Sequence, residues 1–335
     1  LFGDVLVLLG SNGIYRLRVD DGTLLGHSRP GKLFNAQGVE LFTARSGLVV
    51  TAWRLYADNR VKLAVYEPLT GALWGRTTLV PDGDQECRLL AGPDAIHALF
   101  IRAAEPGDLQ SARLEVTRID PVTLAREKLS GPWEKSLLPL SLPLERRRTA
   151  IGGGRLILPL LREGSRQALR VLPLDGAGGS VEIDFPPGEV LQDLRLRRGR
   201  LAALTRRRGT AGNRAQLRLF DARRPAFPPW REAVDLGPAA RFPGRPSDGE
   251  EGIAPAPEEL FVYAGNGKGG SDLYIFHLDR PGVVKVDLLR PWDATSPMPL
   301  PVRGEGLALV VPPAARSASR SPYPALYFID TANGR

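Results

Sequence analysis

The feature of this sequence that most restricts its fold is a unit that recurs seven times, at intervals averaging about 52 residues. Each copy holds an apolar run, then an alternating apolar run that ends in an acidic residue, then a shorter run. The acidic residues that end the second run are Asp20, Glu67, Asp120, Asp175, Asp221, Asp279 and Asp330. The pattern therefore predicts a fold built from seven similar modules.

The runs have the length and alternation of β-strands. They are short and are bounded by glycine, proline or aspartate, which is typical of antiparallel strands joined by turns. With 37 glycines and 30 prolines, and no sustained period of 3.6 residues, the chain has little room for long helices. The first clear runs are Leu6–Leu9, Leu48–Trp53, Ile96–Ile101, Leu156–Leu161, Leu201–Thr205, Leu260–Ala264 and Leu307–Val311.

We label the strands of each copy A to D, where A is a weaker run and B is the first clear run. Four strands per copy, repeated radially, form the blades of a β-propeller. The sequence therefore predicts an all-β fold, a seven-bladed β-propeller of four-stranded antiparallel blades, as a single domain over residues 1–335.

The first copy lacks an A strand, and the last copy ends at Arg335, before its D strand. We therefore expect ring closure to be incomplete at both ends. The natural chain would then be longer, or another chain would supply the missing strands. An eight-bladed ring is the alternative if the chain continues.

The turn between strands C and D explains the recurring acidic residue. A carboxylate after strand C can accept hydrogen bonds from backbone amides about two residues further on, and glycine adopts the positive φ that a tight hairpin needs. These acidic residues are therefore predicted to be structural rather than metal ligands.

The segment Tyr66-Glu67-Pro68-Leu69-Thr70-Gly71-Ala72-Leu73-Trp74 resembles the repeat of quinoprotein propellers, whose pattern is A-L-D-x-x-T-G-x-x-x-W. Asp20–Leu25 and Asp330–Gly334 are weaker copies. The sixth copy, Gly269–Phe276, resembles the repeats of Tol-system propellers. The resemblance implies a non-catalytic member of this superfamily, with Trp74 at the packing position of the repeat.

Enzymatic chemistry finds little support in the sequence. Cys87 is the single cysteine, so neither a disulfide nor the adjacent cysteine pair of many quinone-dependent enzymes can form. His27, His97 and His277 lie far apart, and there is no G-x-S-x-G nucleophile motif. We predict no catalytic, cofactor-binding or metal-binding residues. The alternative is a propeller enzyme, either a quinone-dependent oxidoreductase or a polysaccharide hydrolase or lyase, and a calcium ion or quinone in the central channel would favour it.

Charge is the feature that points to a function. The formal net charge is +8, and arginine supplies most of the positive charge. In a propeller the B-to-C loops open on one face and the C-to-D turns on the other. The C-to-D turns carry mainly acids, whereas the B-to-C loops are rich in arginine.

We predict a partner-binding basic face formed by Arg162, Arg166, Arg206, Arg207, Arg208, Arg214, Lys268, Arg316 and Arg320. Arg195, Arg197, Arg198 and Arg200 would either extend that face or flank a strand. Arginine-rich codon usage would produce the same bias without a partner.

These observations predict a non-catalytic scaffold that mediates protein–protein interaction. An acidic protein is the expected partner, because a basic face steers anionic partners. Nucleic acid is disfavoured, because no aromatic side chains for base stacking are interleaved with Arg206–Arg208. No apolar run approaches the roughly 18 residues that span a bilayer. The resemblance and the scarcity of cysteine suggest a periplasmic or extracellular domain of a larger exported bacterial protein or complex.

Overall fold

The computed structural model describes part of the chain, and the statements below concern that part. The described residues are 4–10, 13–18, 20–28, 36–43, 49–55, 60–82, 86–91, 95–103, 112–129, 149–162, 166–174, 179–209, 212–242, 259–265, 270–280, 282–291, 298–301, 306–311 and 325–330.

The regular elements of these residues are β-strands, and they form seven sheets. Within each sheet, strands that are adjacent in the chain are also neighbours in the sheet. Sheets 2 to 6 have four described strands, whereas sheets 1 and 7 have three. Each sheet is therefore formed by one contiguous stretch of the chain.

Sheet 1 contains β1 (Val5–Gly10), β2 (Gly13–Arg18) and β3 (Leu24–Ser28). Sheet 2 contains β4 (Ala36–Thr43), β5 (Val49–Leu55), β6 (Val61–Tyr66) and β7 (Leu73–Leu79). Sheet 3 contains β8 (Glu86–Ala91), β9 (Ile96–Ala103), β10 (Ala112–Ile119) and β11 (Arg126–Leu129). Sheet 4 contains β12 (Ala150–Gly152), β13 (Arg155–Leu161), β14 (Gln167–Pro173) and β15 (Val181–Asp184).

Sheet 5 contains β16 (Glu189–Arg197), β17 (Arg200–Gly209), β18 (Gly212–Asp221) and β19 (Val234–Gly237). Sheet 6 contains β20 (Ala239–Arg241), β21 (Glu259–Gly265), β22 (Gly270–His277) and β23 (Val283–Pro291). Sheet 7 contains β24 (Met298–Pro301), β25 (Gly306–Val311) and β26 (Ala325–Asp330).

The predicted repeat is confirmed at the level of strands and sheets. Each B strand begins within one residue of its predicted run, since β1, β5, β9, β13, β17, β21 and β25 start at or beside the predicted positions. The outer strand β23 shows why the alternation is informative. Val283, Lys285 and Asp287 are exposed, while Leu288 is buried, as expected for a strand with one solvent-exposed face.

The predicted turn chemistry is also confirmed in three described copies and shifted in one. The Asp120 carboxylate accepts hydrogen bonds from the amides of Val122 (2.8 Å) and Thr123 (2.7 Å), and Glu67 and Asp221 accept equivalent bonds. In the first copy the acceptor is Asp21, which binds the Thr23 amide at 2.8 Å, and not the predicted Asp20. Asp21 takes this role because it lies two residues before the amide, as the other acceptors do.

The chain divides into two compact units. The first consists mainly of Leu1–Leu160 and Arg170–Glu182, and the second mainly of Leu161–Leu169, Ile183–Pro246 and Pro257–Arg335. Sequence analysis predicts a single domain over residues 1–335, and this stays a prediction.

In the first unit, sheet 3 is buried on both faces. Ala98 and Leu99 are adjacent in β9, so their side chains point to opposite faces of the sheet, and both are almost fully buried. Ala98 packs in a cluster with Leu63 of sheet 2, whereas Leu99 packs in a second cluster with Leu156 and Leu158. Neighbouring modules therefore stack face to face.

The second unit repeats this packing. Leu204 and Leu217 of sheet 5 pack in one cluster with Val262 and Phe276 of sheet 6. The opposite face of sheet 6 buries Tyr263 in a separate cluster. Burial of each large apolar side chain contributes about 1.5–3 kcal/mol, so face-to-face stacking is the main source of stability.

Candidate binding site

The β17–β18 hairpin places several of the predicted arginines. The two strands pair in register from Arg200 opposite Asp221 to Gly209 opposite Gly212. Arg206, Arg207 and Arg208 were predicted in a loop, but they lie within β17. The prediction ended the strand at the last apolar residue, whereas backbone pairing continues to the glycines at the tip.

Two arginines face each other across this hairpin. Arg207 lies directly opposite Arg214, so both side chains point to the same face of the sheet, and Arg206 points to the other face. Directly opposed residues have Cβ atoms about 5 Å apart, and like charges in that position destabilise a sheet. Folding alone does not favour this pair.

Asp235 of β19 contacts one of the two. Its Oδ2 accepts a hydrogen bond from Arg214 Nε at 2.6 Å, and its Oδ1 accepts one from the Gly237 amide at 2.9 Å. Partial burial acts to raise the pKa of Asp235, but the bonds from Arg214 and Gly237 outweigh it and leave the pKa below its ordinary value. The hydrogen bond that Arg214 donates to Asp235 raises the pKa of Arg214. This pair is therefore ionised at neutral pH.

A second basic hairpin contributes Arg162 and Arg166. The Arg162 amide donates to the Arg166 carbonyl at 2.8 Å, which closes the turn between β13 and β14. Both side chains are exposed. Arg162 Nε lies 3.2 Å from Oδ1 of Asp184, the last residue of β15.

A buried glutamine joins the two basic hairpins within the second unit. Gln167 follows Arg166, and its Oε1 accepts a hydrogen bond from the Leu191 amide at 2.7 Å. Leu191 lies opposite Thr205, two residues before Arg207. We call Arg162, Arg166, Arg206, Arg207 and Arg214 the basic cluster.

A buried acid beside the basic cluster is neutralised internally. Glu189 accepts two hydrogen bonds from Arg218, at 2.8 and 2.6 Å, and a third from the Thr205 hydroxyl at 2.8 Å. Its side chain is 1% exposed. Glu189 therefore anchors β16 to β17 and β18, and in the β16–β17 ladder it lies directly opposite Arg207.

The basic cluster has a positive excess. Asp184 and Asp235 face two of its five arginines, which leaves a balance of +3. Arg166, Arg206 and Arg207 form no ion pair with the described residues. Lys268, Arg316, Arg320 and the side chain of Arg208, all predicted for the basic face, lie outside the described residues.

The opposite end of sheet 5 carries a second group of charged residues, of which Arg197 and Arg200 were predicted either to extend the basic face or to flank a strand. Arg197 pairs with Arg200 beside the β16–β17 turn, so this segment lies away from the basic cluster and does not extend it. Arg200 is buried and forms an ion pair with Asp221 at 2.6 Å. The Trp230 ring lies between the guanidinium groups of Arg200 (4.4 Å) and Arg231 (4.5 Å). Stacking of this kind depends on tertiary contacts, so no local pattern could have predicted it.

The described residues contain no group of three or more His, Cys, Asp and Glu side chains that could hold a metal ion. Cys87 and His97 are buried in sheet 3. Trp74 Nε1 donates to the Val122 carbonyl at 2.9 Å, which links sheet 2 to the C-to-D turn of sheet 3. Searching the same residues for a helix long and apolar enough to cross a membrane finds none.

Comparison with known proteins shows similarity at the level of structure. Neither a protein-family model nor a curated protein matches the chain. An uncharacterized protein of Listeria monocytogenes EGD-e matches with a TM-score of 0.57 and 8% identity, covering 99% of this chain and 89% of that one. A prolyl endopeptidase structure matches with a TM-score of 0.51 and 14% identity, covering 96% of this chain but 45% of that one. The β-propeller domain of the trilobed protease from Pyrococcus furiosus gives 0.47 and 12%, covering 88% and 83%.

Similarity at such low identity shows the fold alone. The all-β fold with repeated four-stranded antiparallel sheets is of the β-propeller kind. Function is therefore argued from the chemistry of the basic cluster.

Proposed function

We propose that this protein is a non-catalytic β-propeller scaffold that binds an acidic protein through the basic cluster. The observation that carries the proposal is the β17–β18 hairpin, where Arg207 lies opposite Arg214 and where Arg206 and Arg207 form no ion pair with described residues. Like charges directly opposite each other in a hairpin weaken folding slightly. They are useful for attracting an anionic partner.

The side-chain type favours carboxylate ligands on a protein. A guanidinium is planar and presents paired donors that match a carboxylate. Residues 201–218 of the hairpin contain no aromatic side chain that could stack on a nucleic-acid base. An acidic protein surface is therefore a better fit than nucleic acid.

The fold proposal is a seven-bladed propeller in which each sheet is one blade. Its support is the regular repeat, and the face-to-face stacking of sheets 2 to 3 and of sheets 5 to 6. The quinoprotein resemblance supports a non-catalytic member of that superfamily. We further propose that the domain belongs to a larger exported bacterial protein or complex, in the periplasm or outside the cell.

The binding proposal is tested with poly-L-glutamate and with heparin as anionic probes. In about 50 mM salt, the double variant Arg206→Ala/Arg207→Ala should bind poly-L-glutamate about tenfold more weakly than the wild type, since each of the two exposed ionic contacts contributes about 0.7 kcal/mol. The affinity should fall as salt is added, because the site is exposed.

The matched control is Arg223→Ala/Arg224→Ala, which removes the same charge from the far end of the same sheet. This variant should bind poly-L-glutamate nearly as the wild type does. Equal affinity of the Arg206→Ala/Arg207→Ala variant and the wild type would refute the proposal. A stronger preference for heparin than for poly-L-glutamate would replace the acidic protein by a sulfated polymer.

A further inference from the structure

Asp235 is an acid inside the basic cluster, and it contacts Arg214 through a single nitrogen atom. The contact is made to Nε at 2.6 Å, and among the described residues neither terminal amino group of Arg214 donates a hydrogen bond. The Arg214 side chain stays 59% exposed. The edge formed by the two terminal amino groups of Arg214, Nη1 and Nη2, is therefore still available to a carboxylate.

The Asp235 carboxylate is itself held in place by the backbone. Its second oxygen accepts the Gly237 amide at 2.9 Å. Gly237 has a φ of +92°, and a Cβ at this position would lie 2.8 Å from the Gly265 carbonyl oxygen, so glycine is required here. Asp235 is thus a fixed acceptor and not a freely rotating surface acid.

The Glu182–Arg170 pair shows the contrasting geometry. Glu182 also lies on an outermost strand, but its Oε1 accepts both Nε (3.0 Å) and Nη2 (2.7 Å) of Arg170. That contact engages a terminal amino group as well as Nε. The Asp235–Arg214 contact leaves both terminal amino groups open.

We propose that Asp235 is a positioning residue for the basic cluster. It holds Arg214 through Nε so that the terminal amino groups of Arg214, beside Arg207 on the facing strand, form a two-guanidinium receptor for carboxylates of the acidic partner. This inference rests on the proposed function and assigns a role to an acid inside a basic site.

Two opposing effects decide what loss of Asp235 does. Removing an exposed carboxylate makes the site more positive, but an interaction between solvent-exposed charges typically contributes only about 0.2–1 kcal/mol. A free arginine must instead be ordered when the partner binds, which lowers affinity several-fold. The ordering effect is larger in 0.15 M salt.

The test measures poly-L-glutamate affinity in 0.15 M salt by fluorescence titration. Asp235→Ala should bind about threefold more weakly than the wild type, although its net charge is more positive by one. Asp235→Asn keeps an acceptor oxygen for Arg214 and should bind at least as well as the wild type. Arg214→Lys keeps the charge without the planar fork and should also bind about threefold more weakly.

Glu182→Ala is the matched control, because it removes the same charge from an outermost strand, and it should not weaken binding. In an Arg214→Ala background, Asp235→Ala should have no further effect. The inference would be overturned if Asp235→Ala binds poly-L-glutamate as tightly as the wild type or more tightly. If Asp235→Ala does not fold, wild-type affinity of Arg214→Lys would overturn it instead. If those results occur while Arg206→Ala/Arg207→Ala still loses affinity, the binding site stands and the positioning role alone fails.

Discussion

His97 is a buried side chain whose protonation opposes folding. It lies in β9 opposite Arg118 and is 7% exposed. Burial, with the charge of Arg118 as a second cause, lowers the pKa of His97 to about 4. The unfolded chain has a histidine pKa of about 6.5, so between pH 6.5 and 4 the unfolded state binds a proton that the folded state does not. Stability therefore rises with pH in this window and is lost as pH falls through it.

The variant His97→Gln tests this assignment. Between pH 7 and pH 4 the wild type should lose up to about 3 kcal/mol of stability through this one group, because each pKa unit corresponds to about 1.4 kcal/mol. The variant should lose correspondingly less. Urea unfolding at a series of pH values gives both curves, and parallel curves would show that His97 does not titrate as described.

Among the elements, the C-to-D turn of sheet 2 depends on glycine. Gly71 has a φ of +71°, and a Cβ there would lie 2.7 Å from Arg16 Nε and 2.8 Å from Ser28 Oγ. The Ser28 hydroxyl donates to the Gly71 carbonyl at 3.1 Å. The turn is therefore both left-handed and closely packed against sheet 1.

Gly71→Ala should destabilise the protein by about 2 kcal/mol or more, because strain and crowding act together. Gly153→Ala is the control, since Gly153 also has positive φ (+55°) but has no atom within 4 Å of its Cβ position. It should cost about 1 kcal/mol, through backbone strain alone. Thermal unfolding of both variants measures the two losses of stability. Equal losses would mean that the Arg16 and Ser28 side chains move away from the new Cβ at no cost in free energy.

Much of the strand layout was predictable, and the site only partly. Strand positions follow from the alternation of apolar residues, which reports burial directly. The extension of β17 through Arg206–Arg208 was missed because exposed polar residues carry no such signal. Gly209 and Gly212 at the hairpin tip could have marked the true turn. The contact of Asp235 with Arg214 depends on strand register, and strand register cannot be read from the composition of the loops.

At the scale of the whole molecule, the turn carboxylates should govern the acid limit of stability. Hydrogen bonds from the Thr23 amide to Asp21, from Thr70 to Glu67 and from the Thr123 amide to Asp120 lower the pKa of each acid. A lowered carboxylate pKa gives stability that is present above the unfolded value of about 4 and is lost as pH falls through the folded value.

The pH profile of unfolding should therefore have two stages. Between pH 6 and 4.5 the slope should correspond to about one proton, from His97, and below pH 4 stability should continue to fall through partial protonation of the turn acids. Melting midpoints measured from pH 7 to pH 2.5 test this. A profile that flattens below pH 4 would contradict the role of the turn acids.

The seven-bladed ring is also a prediction at this scale. An experimental structure should show seven sheets related by successive rotations about one axis, with the basic cluster on the face formed by the B-to-C hairpins. Sheets arranged as two unrelated lobes would refute it.

The tip of the β17–β18 hairpin extends beyond the last side chains that support the core. Thr205 and Ala215 are fully buried, whereas Arg206, Arg207 and Arg214 are solvent-exposed. Under the proposed function, specificity and foldability then depend on different stretches of one hairpin. Substitutions in the exposed arginines of the tip would change the partner without loss of the fold, and an engineer could graft other tip sequences onto the same scaffold.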